Sequence, residues 1–418
     1  MQTATPGTDG PPAFAVGRNV RLLQAFWFLL SFQLWMGTWI AYLVEFRGVS
    51  LFLVGLLETF FQFVGLAARV PAGAFADRFG RRNALVLAMA IEGSGLFLFA
   101  FASNYPLIIA SYVLWAGGSA FRDPVHAAYL YDALAVEGRE ADFSKQFGRL
   151  SGIGMAGMTL GPLIGSPIAG FTSLQVPVIL SFLSYGSALV VALTLHEPPR
   201  VRPLLGGPGY VQTMKLGVQQ LWRDRAAALV VLIAAGLAFA AASQMMLLQP
   251  FLRAHDVPLA WWGLILVPAR LGAAGGSAFS YQLQRWLGDR RAFALLIAVP
   301  LVLLLGLAAI EHVLMVLALS AIMIVSMTRE TLFTDYLSRR VPSEVRATVL
   351  AVRRLGIQFV LAFAAPLAGG LGARSLPLAF AVLAVATAVI SIPAYVLWLR
   401  ADRAERALED HTGDEGLG

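Results

Sequence analysis

The chain has 418 residues, 58% of them hydrophobic and 13% charged, with a mean hydropathy of +0.72. Such a chain cannot clothe itself in a polar surface, which excludes a soluble globular protein and points to an all-α protein that crosses a lipid bilayer many times. The net charge of +7 is no sign of nucleic acid, because the basic residues cluster in short segments on one side; with no cysteine there is no disulfide and no thiolate metal site.

Residues 1–17 are rich in Pro, Gly and Thr and contain no Lys or Arg, so they read as a short disordered arm and not as a signal peptide. Twelve apolar stretches follow, each long enough to cross a bilayer of roughly 30 Å. The first six cover about 22–44, 51–75, 84–102, 105–132, 147–170 and 174–195. The last six cover about 227–251, 260–283, 292–310, 312–337, 347–371 and 376–399. With the arm inside, twenty-two Lys and Arg fall in inner segments and only Arg47, Arg253 and Arg374 in outer loops, which predicts both termini in the cytoplasm. Between the two sets, Val211, Met214, Val218, Leu221 and Trp222 recur at helical spacing with Lys215, Arg223 and Arg225 among them. That pattern suits an amphipathic helix on the inner leaflet, or a solvated linker. The expected organisation is an arm 1–20, a six-helix half 21–196, a linker 197–226, a second six-helix half 227–400 and a solvated, disordered tail 401–418.

The second and third stretches meet at Gly73-Ala-Phe-Ala-Asp77-Arg78-Phe-Gly80-Arg81-Arg82, which packs four charges into six residues. A turn so charged between two membrane-length helices lies at a membrane surface, and its arginines hold it inside. A degenerate echo, Arg285-Trp-Leu-Gly288-Asp-Arg290-Arg291, stands in the second half. Arg122-Asp123 is likewise answered by Arg329-Glu330, an offset of 207. Gly161-Pro162-x-x-Gly165 is answered by Ala365-Pro366-x-x-Gly369, an offset of 204. The pattern Gly-x-x-x-Asp-Arg-x-Gly-Arg-Arg resembles the loop between helices 2 and 3 of the major facilitator superfamily, and the resemblance runs from about residue 20 to 400. It implies a monomeric plasma (inner) membrane transporter of two pseudo-symmetric halves, twelve helices in all, with small-molecule cargo held between them near the midplane. It also implies that Asp77 docks near the start of helix 11 and latches the cytoplasmic side.

The fifth stretch carries Gly148, Gly157, Gly161, Pro162 and Gly165, which resemble the superfamily's helix-5 antiporter pattern except that Ser166 replaces its last glycine. Small residues every four positions let two helices pack backbone to backbone, and ordinary close packing explains them equally well. In the resembling families the pattern goes with export in exchange for protons. Drug antiporters also carry an arginine early in helix 4, four residues before a Gly-x-Gly; Val113 or Leu114 stands there, and Arg122 lies much nearer the cytoplasmic end.

Charges inside the stretches are Glu58, Arg69, Glu92, Arg122, Asp123, Arg270, Arg329 and Glu330. Unpaired, they would together cost on the order of 20 kcal/mol, so they must pair, reach an interface or line water. Neighbouring helical residues point about 100° apart, so each arginine and the acid after it are expected to find partners elsewhere: another helix, the opposite half, water or cargo. Asp123 and Glu330 are the candidates for proton binding, and Arg122, Arg329, Glu58, Glu92 and Arg270 complete the candidate coupling and substrate set. Arg353 and Arg354 are given no role. Gln33, Trp35, Gln244, Met245 and Gln249 are the candidate cavity wall, suited to flat amphipathic cargo. No nucleophile cluster, nucleotide loop or metal spacing appears, so no enzyme activity and no cofactor are expected. The function expected is proton-coupled efflux of a small amphipathic compound. A specific metabolite transporter and a transport-dead sensor of the same fold stay open.

Overall fold

The computed structural model describes residues 14–199 and 210–415, and every regular element among them is a helix. The expected arm through residue 13, linker residues 200–209 and the last three residues lie outside the described residues. The first crossing is α1 (Val16–Ser31), a 3-10 turn (Leu34–Gly37), the three-residue α2 (Trp39–Ala41) and a π turn (Tyr42–Phe46), bent by 57°. Crossings two to six are α3 (Leu51–Phe79), α4 (Arg81–Phe101), α5 (Tyr105–Ala135), α6 (Phe143–Phe171) and α7 (Val176–Thr194). After α8 (Tyr210–Arg223), α9 (Arg225–Gly236) and α10 (Ala238–Ala254) form the seventh. α11 (Leu259–Ala309) is broken at Gly288 and supplies the eighth and ninth. α12 (Val316–Arg340), α13 (Ser343–Gly372) and α14 (Leu376–Glu415) are the last three.

Local chemistry sets these limits. Ser50 and Asn104 open α3 and α5 by accepting hydrogen bonds from Leu53 N and Leu107 N, and Asp224 does the same for Ala227 N at α9. The two charged turns are built on Gly80 at φ +99° and Gly288 at φ +68°, where a side chain would be strained. Among the described residues, ten helical segments are long and apolar enough to cross a membrane alone, and the bent first crossing makes eleven. α5, with 31 residues, is the twelfth and more polar rod, for it carries Arg122, Asp123, His126 and Asp132.

α1 and α3–α7 pack among themselves as one half, and α9–α14 as the other; α3 against α13 and α6 against α11 join the two. These are the two six-helix halves foreseen. Three expectations need correction. The first helix begins at Val16, six residues before the expected start, and is then interrupted. The tail is not disordered through its described length, because α14 continues as helix to Glu415. Its Ala-Asp-Arg-Ala-Glu-Arg-Ala-Leu-Glu-Asp run is rich in strong helix formers, and Asp402 pairs with Arg290 at 2.8 Å. Finally, α8 is not simply a leaflet-bound helix. Its Gly217 rests on Thr348 and Val352 of α13, while Leu216, Val218 and Trp222 stay exposed.

Candidate functional site

Some of the intramembrane charges gather into one cluster per half, while Glu58, Arg69 and Arg270 stand outside both. In the first half, α4 supplies Glu92 and α5 supplies Arg122 and Asp123. Gly118 of α5 makes room, since a Cβ there would lie 2.4 Å from Glu92 Cγ. Arg122 Nε donates to Glu92 Oε1 at 2.8 Å, and Arg122 Nη1 lies 3.1 Å from Asp123 Oδ1. The Glu92 side chain is fully buried, whereas that of Asp123 is 56% exposed. The Arg122 guanidinium also stands over the Trp27 ring, which stacks on His126 at 3.9 Å. Gln33 donates to the Tyr185 hydroxyl at 3.1 Å beside this cluster.

In the second half, Arg353 of α13 reaches Glu330 of α12 at 2.5 Å and donates to Thr334 Oγ1 at 2.9 Å. Arg329 is buried with Nη1 3.5 Å from the Ala234 carbonyl, and no acid pairs with it among the described residues. Arg270 is equally buried, and among the described residues no ion pair or hydrogen bond holds it. The back of α12 is covered: Thr328 faces Gly276, and Phe333 and Tyr336 pack on Phe293. Glu330 stands on the opposite flank and keeps 38% of its side chain open.

One sequence-based expectation is thereby corrected. Arg122 does pair with the acid that follows it, because a guanidinium on a three-carbon stem reaches a neighbour that the Cβ vectors alone would exclude. Of the partners left open, these two clusters take another helix of the same half: Glu92–Arg122 and Glu330–Arg353. The role of Arg353 was missed. Its signal was a position ten residues into α13, the same depth as Glu330 measured back from the end of α12.

The halves themselves are tied at the end away from the termini and along α3–α13. Gln249 Oε1 accepts from Ile40 N and Ala41 N at 2.9 and 3.1 Å, and Arg253 forms a two-pronged ion pair with Glu45. Thr59 donates to Ala362 O at 2.5 Å and Arg69 to Gln358 Oε1 at 3.3 Å. Gly55 meets the backbone of Pro366, and Gly263 that of Pro162. A cavity of about 720 Å³ lies above these ties, lined by Glu45, Gln249, Arg253, Trp262 and Arg374. Of the expected cavity wall, Gln249 is such a tie and Trp35 is buried against Phe99 and Trp115 inside the first half. Gln33, Gln244 and Met245 are half-buried. Glu58 is half-buried too, and among the described residues its carboxylate makes no hydrogen bond or ion pair.

The helix-5 glycines have a specific task. A Cβ on Gly165 would lie 1.8 Å from Leu34 O, one on Gly161 2.7 Å from Gln33 N and O, and one on Gly157 2.8 Å from Phe28 O. They cradle the stretch where the first crossing leaves the α-helix. Non-helical backbone at membrane depth survives only where protein or a water-lined space receives it. Gly148 touches nothing in this way.

At the charged turn, Arg81 pairs with Asp77 at 3.2 Å and with Asp132 of α5 at 3.3 Å. Glu197, just past α7, accepts from Arg81 N and Arg82 N at 2.7 Å each and so caps α4. Arg82 also donates to Leu193 O at 2.6 Å, and Arg78 stacks over Phe79. A Cβ on Gly80 would collide with the Glu197 carboxylate, while Gly73 faces open space. Glu197 is a partner that sequence reasoning did not single out.

Comparison with known proteins supplies the family. The Major Facilitator Superfamily profile matches residues 22–358. The chain is similar to the bacillibactin exporter of Bacillus subtilis (strain 168), 30% identical over 29% of this chain and 31% of that one. It is also similar to multidrug resistance protein 2 of the same organism, 29% identical over 34% of this chain and 33% of that one. The match thus spans about a third of the length of these curated relatives. In fold it is similar to the nucleoside transporter NupG, with a TM-score of 0.74, 13% identity and coverage of 93% of this chain and 99% of that one. A bacterial homologue of the human lysosomal transporter Spinster aligns with a TM-score of 0.70, 17% identity and coverage of 94% and 98%. The family and fold are those of transporters, not enzymes, and the chain is a member of the major facilitator superfamily.

Proposed function

We propose that this transporter exports a small amphipathic compound in exchange for protons, its two halves, 21–196 and 227–400, rocking about a midplane site. The observation that carries this reading is the cluster Glu92–Arg122–Asp123: two carboxylates share one guanidinium deep in a membrane-spanning half, one of them buried and the other open. Ionisable groups at such depth are costly and mark proton or ion pathways. Asp123 and Glu330 each pair with an arginine while keeping an open face, which suits them to exchange a proton for a bond to that arginine. The relatives named as an exporter and a multidrug resistance protein favour export. The skew of arginines to one side favours both termini in the cytoplasm, and the proposed unit is a monomer. Purified protein in liposomes, given an imposed pH gradient and a compound panel, tests the proposal. Accumulation of at least one amphipathic compound that collapses with the gradient is expected, and cargo movement indifferent to the gradient would refute it.

A second reading has its own observation. Arg270 and Arg329 are buried cations without an acid among the described residues, which suits a specific anionic metabolite. Gradient-independent exchange confined to anions in the same panel would favour it.

A further inference from the structure

Inside the first half, away from the space between the halves, lies a small cavity bounded by Trp35, Glu92, Tyr112, Trp115, Tyr185 and Phe99. Its free volume is about 10 Å³, close to what one water molecule needs. Glu92 Oε2, the Tyr112 hydroxyl and Trp35 Nε1 are all buried, and among the described residues none has a hydrogen-bond partner. Buried polar atoms without partners are rare, and three around one water-sized space point to a ligand that serves all three.

Their chemistry is complementary. The indole N–H only donates, an ionised carboxylate only accepts, and the phenol can do either. One water can accept from Trp35 and Tyr112 while donating to Glu92. Once Glu92 is protonated, its hydroxyl donates to the water, and the water turns to donate to the tyrosine oxygen. Oε2 of Glu92 therefore finds a partner in both protonation states without moving a helix. The groups facing Glu92 are Arg122 and Tyr112 from α5, Tyr185 from α7 and Trp35 from the turn after α1, with Asp123 behind Arg122.

We propose that Glu92, with a water held by Tyr112 and Trp35, is a buried proton-binding site. A proton from solvent forms an O–H bond at Glu92 Oε2, and the carboxylate becomes neutral as the water turns. Arg122 then keeps Asp123 as its one charged partner. The site is also joined to the contact between the halves. Trp35 sits in the non-helical stretch whose far end, at Ile40 and Ala41, is held by Gln249 of the other half. Protonation at Glu92 is thus felt by the segment that the second half grips.

This inference rests on the proton-exchange reading, but its test needs no cargo. Infrared difference spectra of the purified protein in lipid nanodiscs, recorded across a pH step, show protonated carboxyls directly. The expected result is a carboxylic-acid band that disappears in Glu92→Gln. A band that persists in that variant overturns the proposal. Because Glu92→Gln also weakens the ion pair with Arg122, Tyr112→Phe provides a second test that leaves the pair intact. It should move the midpoint of the band by roughly one pH unit, and an unmoved midpoint overturns the water-mediated site. If the bands behave as expected while no compound responds to a pH gradient in liposomes, the export reading fails and the proton site stands.

Discussion

Arg122 and Arg270 both lie within membrane-spanning helices, yet removing their charges should have opposite consequences. Arg122 neutralises a fully buried Glu92, so Arg122→Met strands that carboxylate and should cost about 3–5 kcal/mol. Arg270 carries the cost of burial without an acid to offset it among the described residues. Arg270→Met should leave stability unchanged or raise it, as removal of a poorly compensated buried charge often does. Thermal unfolding of both variants in one detergent decides the matter; an equal fall in the two would contradict the assignment. The residue scale is also where sequence reasoning is weakest. Each intramembrane charge was visible from its apolar surroundings, but pairing depends on helix rotation and side-chain reach, which apolar runs do not encode. Gly118, Asp132, Glu197 and Arg353 acquire their meaning only when α4, α5, α7, α12 and α13 are set side by side.

Among the elements, α6 and the broken first crossing depend on each other. Gly165→Ala pushes a methyl into the Leu34 carbonyl and should cost about 1–3 kcal/mol as an overpacked contact. Gly148→Ala meets nothing and should be neutral or gain roughly 0.5–1 kcal/mol from helix propensity. Comparing unfolding temperatures of the two variants tests whether the glycine pattern serves packing at one end only. Gln249→Ala removes the acceptor for two buried N–H groups and should cost about 1–3 kcal/mol. Loss of that tie should also loosen the end away from the termini. The chain has no cysteine, so Glu45→Cys with Arg253→Cys reports this cleanly. Disulfide formation should be fast in the parent and slower when Gln249→Ala is added; equal rates would mean Gln249 does not hold the end. The twelve rods were legible because a bilayer demands long apolar runs, and the charged turns because they must reach water. The interruption after Ser31 was not legible. It has no proline of its own and is produced by glycines more than a hundred residues away.

For the whole molecule, transport depends on how the halves separate. The resemblance implies that Asp77 latches the start of α13, a contact of about 1–2 kcal/mol that would shift the conformational balance, so Asp77→Asn should lower the transport rate without lowering membrane insertion. Wild-type rates in that variant would remove the latch. Asp123→Asn and Glu330→Gln divide coupling from carriage. At least one should lose proton-driven accumulation while keeping gradient-free exchange, and full accumulation in both would end their coupling role.

The carboxylate of Glu197 also bears on the order in which the molecule is made. It joins the start of α4 to the chain just beyond α7, while Tyr129 donates to His196 O at 2.6 Å and Asn19 Oδ1 accepts from His196 N at 2.9 Å. This clasp gathers the first, third, fourth and sixth crossings, and each of its residues is synthesised before α8. Domains fold as units during synthesis, the N-terminal one first. The first half can therefore close on itself while the second is still being translated, and the ribosome then adds α9 to α14 beside a finished template.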